Sequence, residues 1–170
     1  MGFTRYNESK PMKIKKEKYA YLAGAIDCDG CIGINKTTRR STKINKKNPI
    51  YNLYVRIVQK DKRILRFCYK TFGGHLYRHN QIFWEWHILG SYARNLLEMI
   101  LPFLIYKKKQ AKAAIEFDKM RQRQTKKWLT DRARCSSGKK YFLKGSLSKE
   151  VIQKREKYYQ KLKDLKKEIK

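Results

Sequence analysis

Acidic side chains are scarce in this 170-residue chain: 14 Asp and Glu stand against 43 Lys and Arg, a formal net charge of +29. Like charges at this density repel one another unless a polyanion neutralises them. That argues against cationic partners and puts nucleic acid ahead of an anionic membrane surface. Proline is nearly missing, with three residues, so a Pro-rich or low-complexity architecture is excluded. No apolar run approaches the ~18 residues that cross a bilayer. The opening stretch MGFTRYNESKPMKIKKEK lacks the apolar segment of a signal peptide. Its Met-Gly start is followed by Tyr6, where a myristoylation site takes Ser or Thr. These absences lead us to expect a soluble, intracellular protein, in the cytoplasm of a prokaryote or in an organelle.

Cysteine is sparse too. Cys28, Cys31, Cys68 and Cys135 do not form a disulfide framework in a chain of this size. Cys28-x2-Cys31 and His75-x3-His79 have the pair spacings of a zinc finger. The two pairs are separated, however, by more than three times the ~12 residues a finger uses, and both histidines fall in a strand pattern.

What remains is enough for one compact domain, because 41% of residues are apolar and 13% aromatic. Residues 1–17 read as a basic arm. Lys18 to Asp27 reads as a helix with Leu22 and Ile26 on one face and the small residues Ala20, Ala23 and Gly24 on another. That small face suits close packing, on the chain's own sheet or on a second copy. Four strand-like runs follow, Cys31–Thr37, Tyr51–Ile57, His75–His79 and Phe83–Ile88, with the period-two alternation of half-buried antiparallel strands. Between the second and third, Lys62–Phe72 reads as a helix capped by Asp61 and stopped by Gly73. Ser91 suits the cap of a helix Tyr92–Leu101, and another runs from Lys108 to about Gln124. A Ser/Gly/Lys-rich linker precedes a last helix, Lys149–Ile169, whose stripe Val151, Tyr158, Leu162, Leu165 and Ile169 is expected to dock on the domain. We divide the chain into the arm, a core over 18–134, and a basic linker with a C-terminal helix over 135–170.

The stretch LAGAIDCDGCIG, residues 22–33, departs from its surroundings: two of the few carboxylates, Asp27 and Asp29, stand two residues apart before a glycine. An exposed carboxylate there is a poor DNA contact. It is a good ligand for a hard cation such as Mg2+, which takes oxygen and binds through one or two carboxylates plus phosphate oxygens. The same aspartates could instead cap or turn the chain. An EF-hand is excluded, because Ile32 and Thr38 stand where that loop needs glycine and glutamate.

Leu22-Ala-Gly-Ala-Ile-Asp-Cys-Asp-Gly30 resembles the signature of the LAGLIDADG homing endonucleases, departing from it at Ala25 and Cys28. The order of elements is also similar to that family's αββαββα core, over roughly residues 18 to 124. The resemblance implies an α+β fold with a four-stranded antiparallel saddle sheet. It implies a Mg2+-dependent endonuclease that breaks both strands of double-stranded DNA at a long, near-palindromic site, leaving 3′ overhangs. Because the motif occurs once, it implies a homodimer joined through Ala20, Ala23, Gly24 and Asp27, with Asp27 hydrogen-bonding across the helix pair. Asp29 and the Cys28 main-chain carbonyl would hold the metal. Gln59 would position water, Arg63 would stand in the surrounding basic shell, and Lys107 would occupy the basic catalytic position. The absence of protein-splicing flanks leads to the expectation of an intron-borne gene.

In such a saddle about ten strand residues span ~33 Å, close to one turn of B-DNA. The reading face would carry Asn35, Thr37, Asn52, Tyr54, Arg56, His75, Tyr77, His79, Glu85 and His87. Arg56 suits guanine, Asn35 or Asn52 adenine, and Glu85 cytosine. Arg39, Arg40, Lys43, Lys46 and Lys47 read as phosphate contacts. An RNA maturase, a non-cleaving regulator or a basic ribosomal protein would share the charge, so Asp29 is where cutting and mere binding part.

Overall fold

The computed structural model describes residues 14–38, 49–135 and 148–168. Residues 1–13 of the arm, the cations Arg39, Arg40, Lys43, Lys46 and Lys47, and Ile169 lie outside the described residues, while the arm's last two residues, Lys16 and Glu17, open the first helix. The order is α1 (Lys16–Asp29), β1 (Gly30–Thr38), β2 (Pro49–Gln59), α2 (Lys62–Phe72), β3 (His75–Arg78), β4 (Trp84–Leu89), α3 (Gly90–Ile100), a short 3-10 turn (Leu101–Phe103), α4 (Lys108–Cys135) and α5 (Lys149–Lys167). The expected α+β class and its αββαββα order are both present.

The strands form one antiparallel sheet in the order β1-β2-β4-β3. Alternation decides what each face meets. Ile32 and Ile34, then Leu53, Val55 and Ile57, then Trp86 and Ile88 turn to one side and are buried. Leu22, Ala23 and Ile26 of α1, Leu97 and Ile100 of α3, and Ala114 and Phe117 of α4 pack there too, closing a single core. The other face keeps the polar parity. Local signals set several joints as the sequence predicts. Asp61 caps α2 by accepting from the Arg63 amide at 2.8 Å. Gly73 ends it with φ of +73°, a conformation that favours glycine. Asn80 shapes the β3–β4 turn, its Oδ1 accepting from the amides of Ile82 and Phe83 at 2.9 and 2.7 Å.

Three joints differ from expectation. α1 runs on to Asp29, because nothing in Asp-Cys-Asp stops a helix before Gly30. α3 starts at Gly90 with Leu89 as its cap residue and no side-chain cap bond, so Ser91 does not play that part. α4 continues through Cys135 rather than stopping near Gln124.

Gly30 is the tight point between α1 and β1. Its amide bonds the Ile26 carbonyl, and a Cβ there would lie 2.6 Å from Ile26 Cα and 2.8 Å from its oxygen. These are backbone atoms that cannot swing away. Gly30→Ala is therefore expected to cost about 2 kcal/mol by overpacking, read as a lower midpoint in urea unfolding with an unchanged m-value. A variant as stable as the parent would show that the joint is loose.

The C-terminal helix docks on the domain, as its stripe predicts, and it does so beside edge strand β1. Leu162 is buried, Tyr158 meets Phe117, and the Gln110 side chain donates to the Leu165 carbonyl at 3.0 Å. Glu156 accepts from Lys36 of β1 at 2.8 Å and from the Tyr51 hydroxyl of β2. α5 thus covers an edge that would otherwise offer unpaired backbone groups.

Candidate active site and nucleic-acid interface

The last turn of α1 assembles the acidic site. Asp29 is exposed at its C-terminal end, and its Oδ2 accepts from Gln59 Nε2, at the end of β2, at 2.8 Å. The sequence-predicted pair is thereby brought together. Lys107, immediately before α4, enters from beneath and is only 9% exposed. Its Nζ donates to the carbonyls of Ile26 and Asp27 at 2.6 and 2.7 Å and stands 3.5 Å from that of Cys28. The Asp27 and Cys28 carbonyls are among those a helix end leaves without intrahelical partners, the Ile26 carbonyl accepts from the Gly30 amide as well, and a lysine there also meets the negative end of the helix dipole. Burial holds the Lys107 ammonium below its ordinary value; the Asp27, Cys31, Cys28 and Asp29 charges oppose that shift. Lys107 is in this structure a cap on the turn that carries Asp29, with its charge directed into that turn.

Three expected roles need correcting. Asp27 does not direct its carboxylate across to another helix. Both oxygens are engaged within the chain, accepting from the amides of Ile105 and Lys107 at 2.7 and 2.9 Å. Ala23 is fully buried in the chain's own core, so the exposed small face of α1 consists of Ala20 and Gly24. Arg63 is not at Asp29. Its guanidinium pairs with Asp61 at 2.6 Å, and its side chain is 89% exposed.

The site's donors are oxygens: the exposed Asp29 carboxylate and the Cys28 carbonyl, which already faces Lys107. This set fits a hard divalent cation better than zinc or copper. It is too small to enclose one, and among the described residues no group of three His, Cys, Asp or Glu could do so.

The polar side of the sheet is laid out in rows by the strand register. Cys31, Arg56, His87 and His75 form one row across all four strands. Val58, Glu85 and Tyr77 form the next on one side. Gly33, Tyr54 and Leu89 form the next on the other, followed by Asn35 and Asn52. Asn35, Thr37, Asn52, His75, Tyr77 and His79 are exposed, and Tyr54, Arg56 and His87 are half-buried. Glu85 does not fit the expectation of a cytosine contact. It is 4% exposed, its carboxylate turned toward His87, His79 and Arg56, so no base edge reaches it as it stands.

Strand parity, applied strictly, would have added Cys31, Val58 and the 41% exposed Leu89 to this face. One member had no sequence signal at all. Lys166 of α5 reaches over the sheet edge, its Nζ 3.1 Å from Cys31 Sγ and 3.4 Å from the Tyr54 hydroxyl. Gly33 makes room for it, since a Cβ there would lie 2.7 Å from that Nζ. Burial opposes ionisation of the Cys31 thiol, yet the hydrogen bonds and charges of Tyr54, Lys166 and Arg56 bring it below its ordinary value.

A further patch flanks the foot of α1. Ile105 is 78% and Tyr106 70% exposed beside the Asp27 cap, and Tyr21 is exposed higher on the helix against Phe67. No helix among the described residues is long and apolar enough to cross a membrane.

The fold has counterparts among solved structures. The homing endonuclease I-CvuI, in a complex with the I-CreI target in 2 mM Mg in which the DNA is not cleaved, superposes with a TM-score of 0.55 at 24% identity, over 87% of this chain and 96% of that one. The homing endonuclease I-TnaI gives 0.54 at 20% identity, over 94% and 100%. The meganuclease I-SmaMI bound to uncleaveable DNA gives 0.61 at 13% identity, over 84% of this chain but only 43% of that one. No curated protein matches the chain significantly. The LAGLIDADG endonuclease family model matches residues 22–124, from the first letter of the acidic motif through most of α4. With the motif, the sheet and the helices behind it all accounted for, the chain belongs to the LAGLIDADG endonuclease family.

Proposed function

We propose that the protein is a sequence-specific DNA endonuclease that uses Mg2+ and acts as a homodimer on a long, nearly palindromic site. The observation that carries this reading is Asp29, an exposed carboxylate held by Gln59 at the edge of an otherwise basic, polar sheet face. A hydrolase for phosphodiesters needs a cation at that place more than it needs another base contact. Asp29 and the Cys28 carbonyl would hold a divalent cation, whose chemistry when bound would be to neutralise charge at the scissile phosphate and make water more acidic. The chain's residues do the rest. Lys107 locks the turn, Gln59 fixes one carboxylate oxygen and orients water, and Arg63 offers an exposed guanidinium to phosphate. The sheet rows meet the major groove, and both strands are cut to leave 3′ overhangs.

Two features support the dimer. Each chain carries one such carboxylate, while a double-strand break needs two sites. The exposed Ala20/Gly24 face allows close approach of a second α1, since a Cβ at Gly24 meets nothing within 4 Å. Ile105 and Tyr106 extend that face with apolar surface. I-SmaMI, matched over less than half its length, has room for a second such unit within one chain.

The test is direct. Purified protein with a randomised duplex library and Mg2+ is expected to yield cuts at one partly symmetric sequence, abolished by EDTA. Sedimentation is expected to give twice the chain mass. Binding to intron RNA with no cleavage of any library member would overturn the reading.

A further inference from the structure

Of the chain's three histidines, His79 and His87 flank one buried carboxylate on the polar sheet face and His75 lies against His87. Glu85 Oε1 is 3.2 Å from His87 Nδ1. Its Oε2 faces His79 Nδ1 at 3.3 Å and Arg56 Nη1 at 3.9 Å. Yet that oxygen is buried and accepts no hydrogen bond. A carboxylate oxygen left so is costly, and the His79 ring facing it can donate to it, most strongly when protonated. Tyr77 stands opposite Glu85 in the register, and burial first, then that carboxylate, push its hydroxyl up to about 12. The rings of His75 and His87 lie 5.2 Å apart, and Tyr77 stands edge-on to His87 at 5.4 Å. Beside the cluster is an open cavity of about 430 Å3 lined by Tyr54, Arg56, Tyr77, His87 and Leu89 around Glu85.

We propose that Glu85 is a positioning residue of the DNA-reading face, holding Arg56, Tyr77, His79 and His87 as one unit whose selective grip on duplex DNA tightens as the histidines take up protons. This rests on the reading that the polar sheet face meets DNA. The groups facing the cluster from each element are Arg56 and Tyr54 of β2, His75 and Tyr77 of β3, His79 of the turn and His87 of β4. Cys31 of β1 and Lys166 of α5 lie beyond Tyr54 and Arg56. Arg56 and Lys166 stay cationic and the tyrosines neutral through the histidine range. In the free protein burial, His75 and Arg56 hold His87 below its ordinary value, with Glu85 opposing. Phosphates and groove acceptors favour imidazolium, so binding takes up protons. The sign follows: the gain is fully present below the free-state value and is lost as pH rises through the DNA-bound value.

The experiment uses the full chain with Cys31→Ser, to remove the thiol from the titration. Anisotropy in EDTA at constant ionic strength follows two duplexes of equal length, the one recovered by cleavage selection and a shuffled one. The dissociation constant for the selected duplex is expected to weaken about tenfold between pH 6.0 and 7.5, inside the ~30-fold limit that one linked proton sets over that interval. Glu85→Gln is expected to lose most of that slope and to narrow the preference for the selected duplex over the shuffled one. Should Glu85→Gln fail to fold, the double variant His79→Gln/His87→Gln removes the slope by the other half of the cluster. A flat profile for the parent bound at every pH, or an unaltered slope in the variants, overturns the inference alone. Failure to bind either duplex at any pH overturns the DNA-reading face itself and this inference with it.

Discussion

Asp29→Asn is expected to abolish cleavage while leaving DNA binding intact or slightly tighter. The exchange is isosteric, and an amide oxygen can still accept from Gln59 Nε2, now 2.8 Å from the carboxylate. Asp29 is exposed and ends α1, so the fold has little reason to change. What disappears is one negative charge and the strongest oxygen donor of the site. Phosphodiester hydrolysis leans on a cation to neutralise developing charge. The loss should reach at least ~10³-fold in single-turnover cleavage, about 4 kcal/mol of transition-state stabilisation. Removing a negative charge from a surface that meets phosphates cannot weaken association electrostatically, which is why binding serves as the internal control. Single-turnover cleavage of the selected duplex in Mg2+ and anisotropy on the same duplex measure the two effects. Parent-like cleavage by the asparagine variant would remove Asp29 from the chemistry.

How far the sequence disclosed this site depends on where each residue's partner lies. Asp61 and Gly73 bound α2 because cap and stop act on neighbouring amides, and strand parity aligned Arg56 with His87 because alternation is local. Asp27 was misjudged for the opposite reason. Its partners are the amides of Ile105 and Lys107, some 80 positions on, and no short-range pattern points there. Lys107 looked like one of three consecutive lysines, and only its path under α1 distinguishes it. Ala23 and Ala20 are indistinguishable by size; which is covered depends on how α1 rotates over the sheet. Glu85 alternates like an outward residue, and it does face outward. The bulk of Tyr77, Arg56 and the histidines around it is what covers it. Lys166 was beyond any local reading, since its place over Gly33 exists only after α5 has docked on β1.

Lys107→Met should be the most damaging single change to stability near the site. Methionine keeps the apolar stem but removes every donor from a side chain that is 9% exposed. The Ile26 and Asp27 carbonyls, bonded at 2.6 and 2.7 Å, would be left without that partner under a packed surface. Loss of charge-assisted bonds to buried acceptors costs about 3 kcal/mol, or roughly 6–12 °C of melting temperature for a chain of this length. The neighbouring surface change Lys108→Met should stay within ~0.5 kcal/mol. The pH dependence separates capping from ion pairing with Asp29. Lys107's folded value lies below its unfolded one, with burial the main cause. The ammonium's penalty is therefore present at neutral pH and relieved as pH rises toward the ordinary lysine value, while the neutral amine still donates N–H bonds. The parent's advantage over Lys107→Met should consequently widen between pH 7 and 9.5. Were attraction between the ammonium and Asp29 the source, the advantage would stay level over that interval and fall only above the ordinary lysine value. Because Asp29 hangs from the same turn, cleavage should fall with the cap even at temperatures where the variant is folded. A folded variant with parental cleavage would mean that the turn holds its shape unaided.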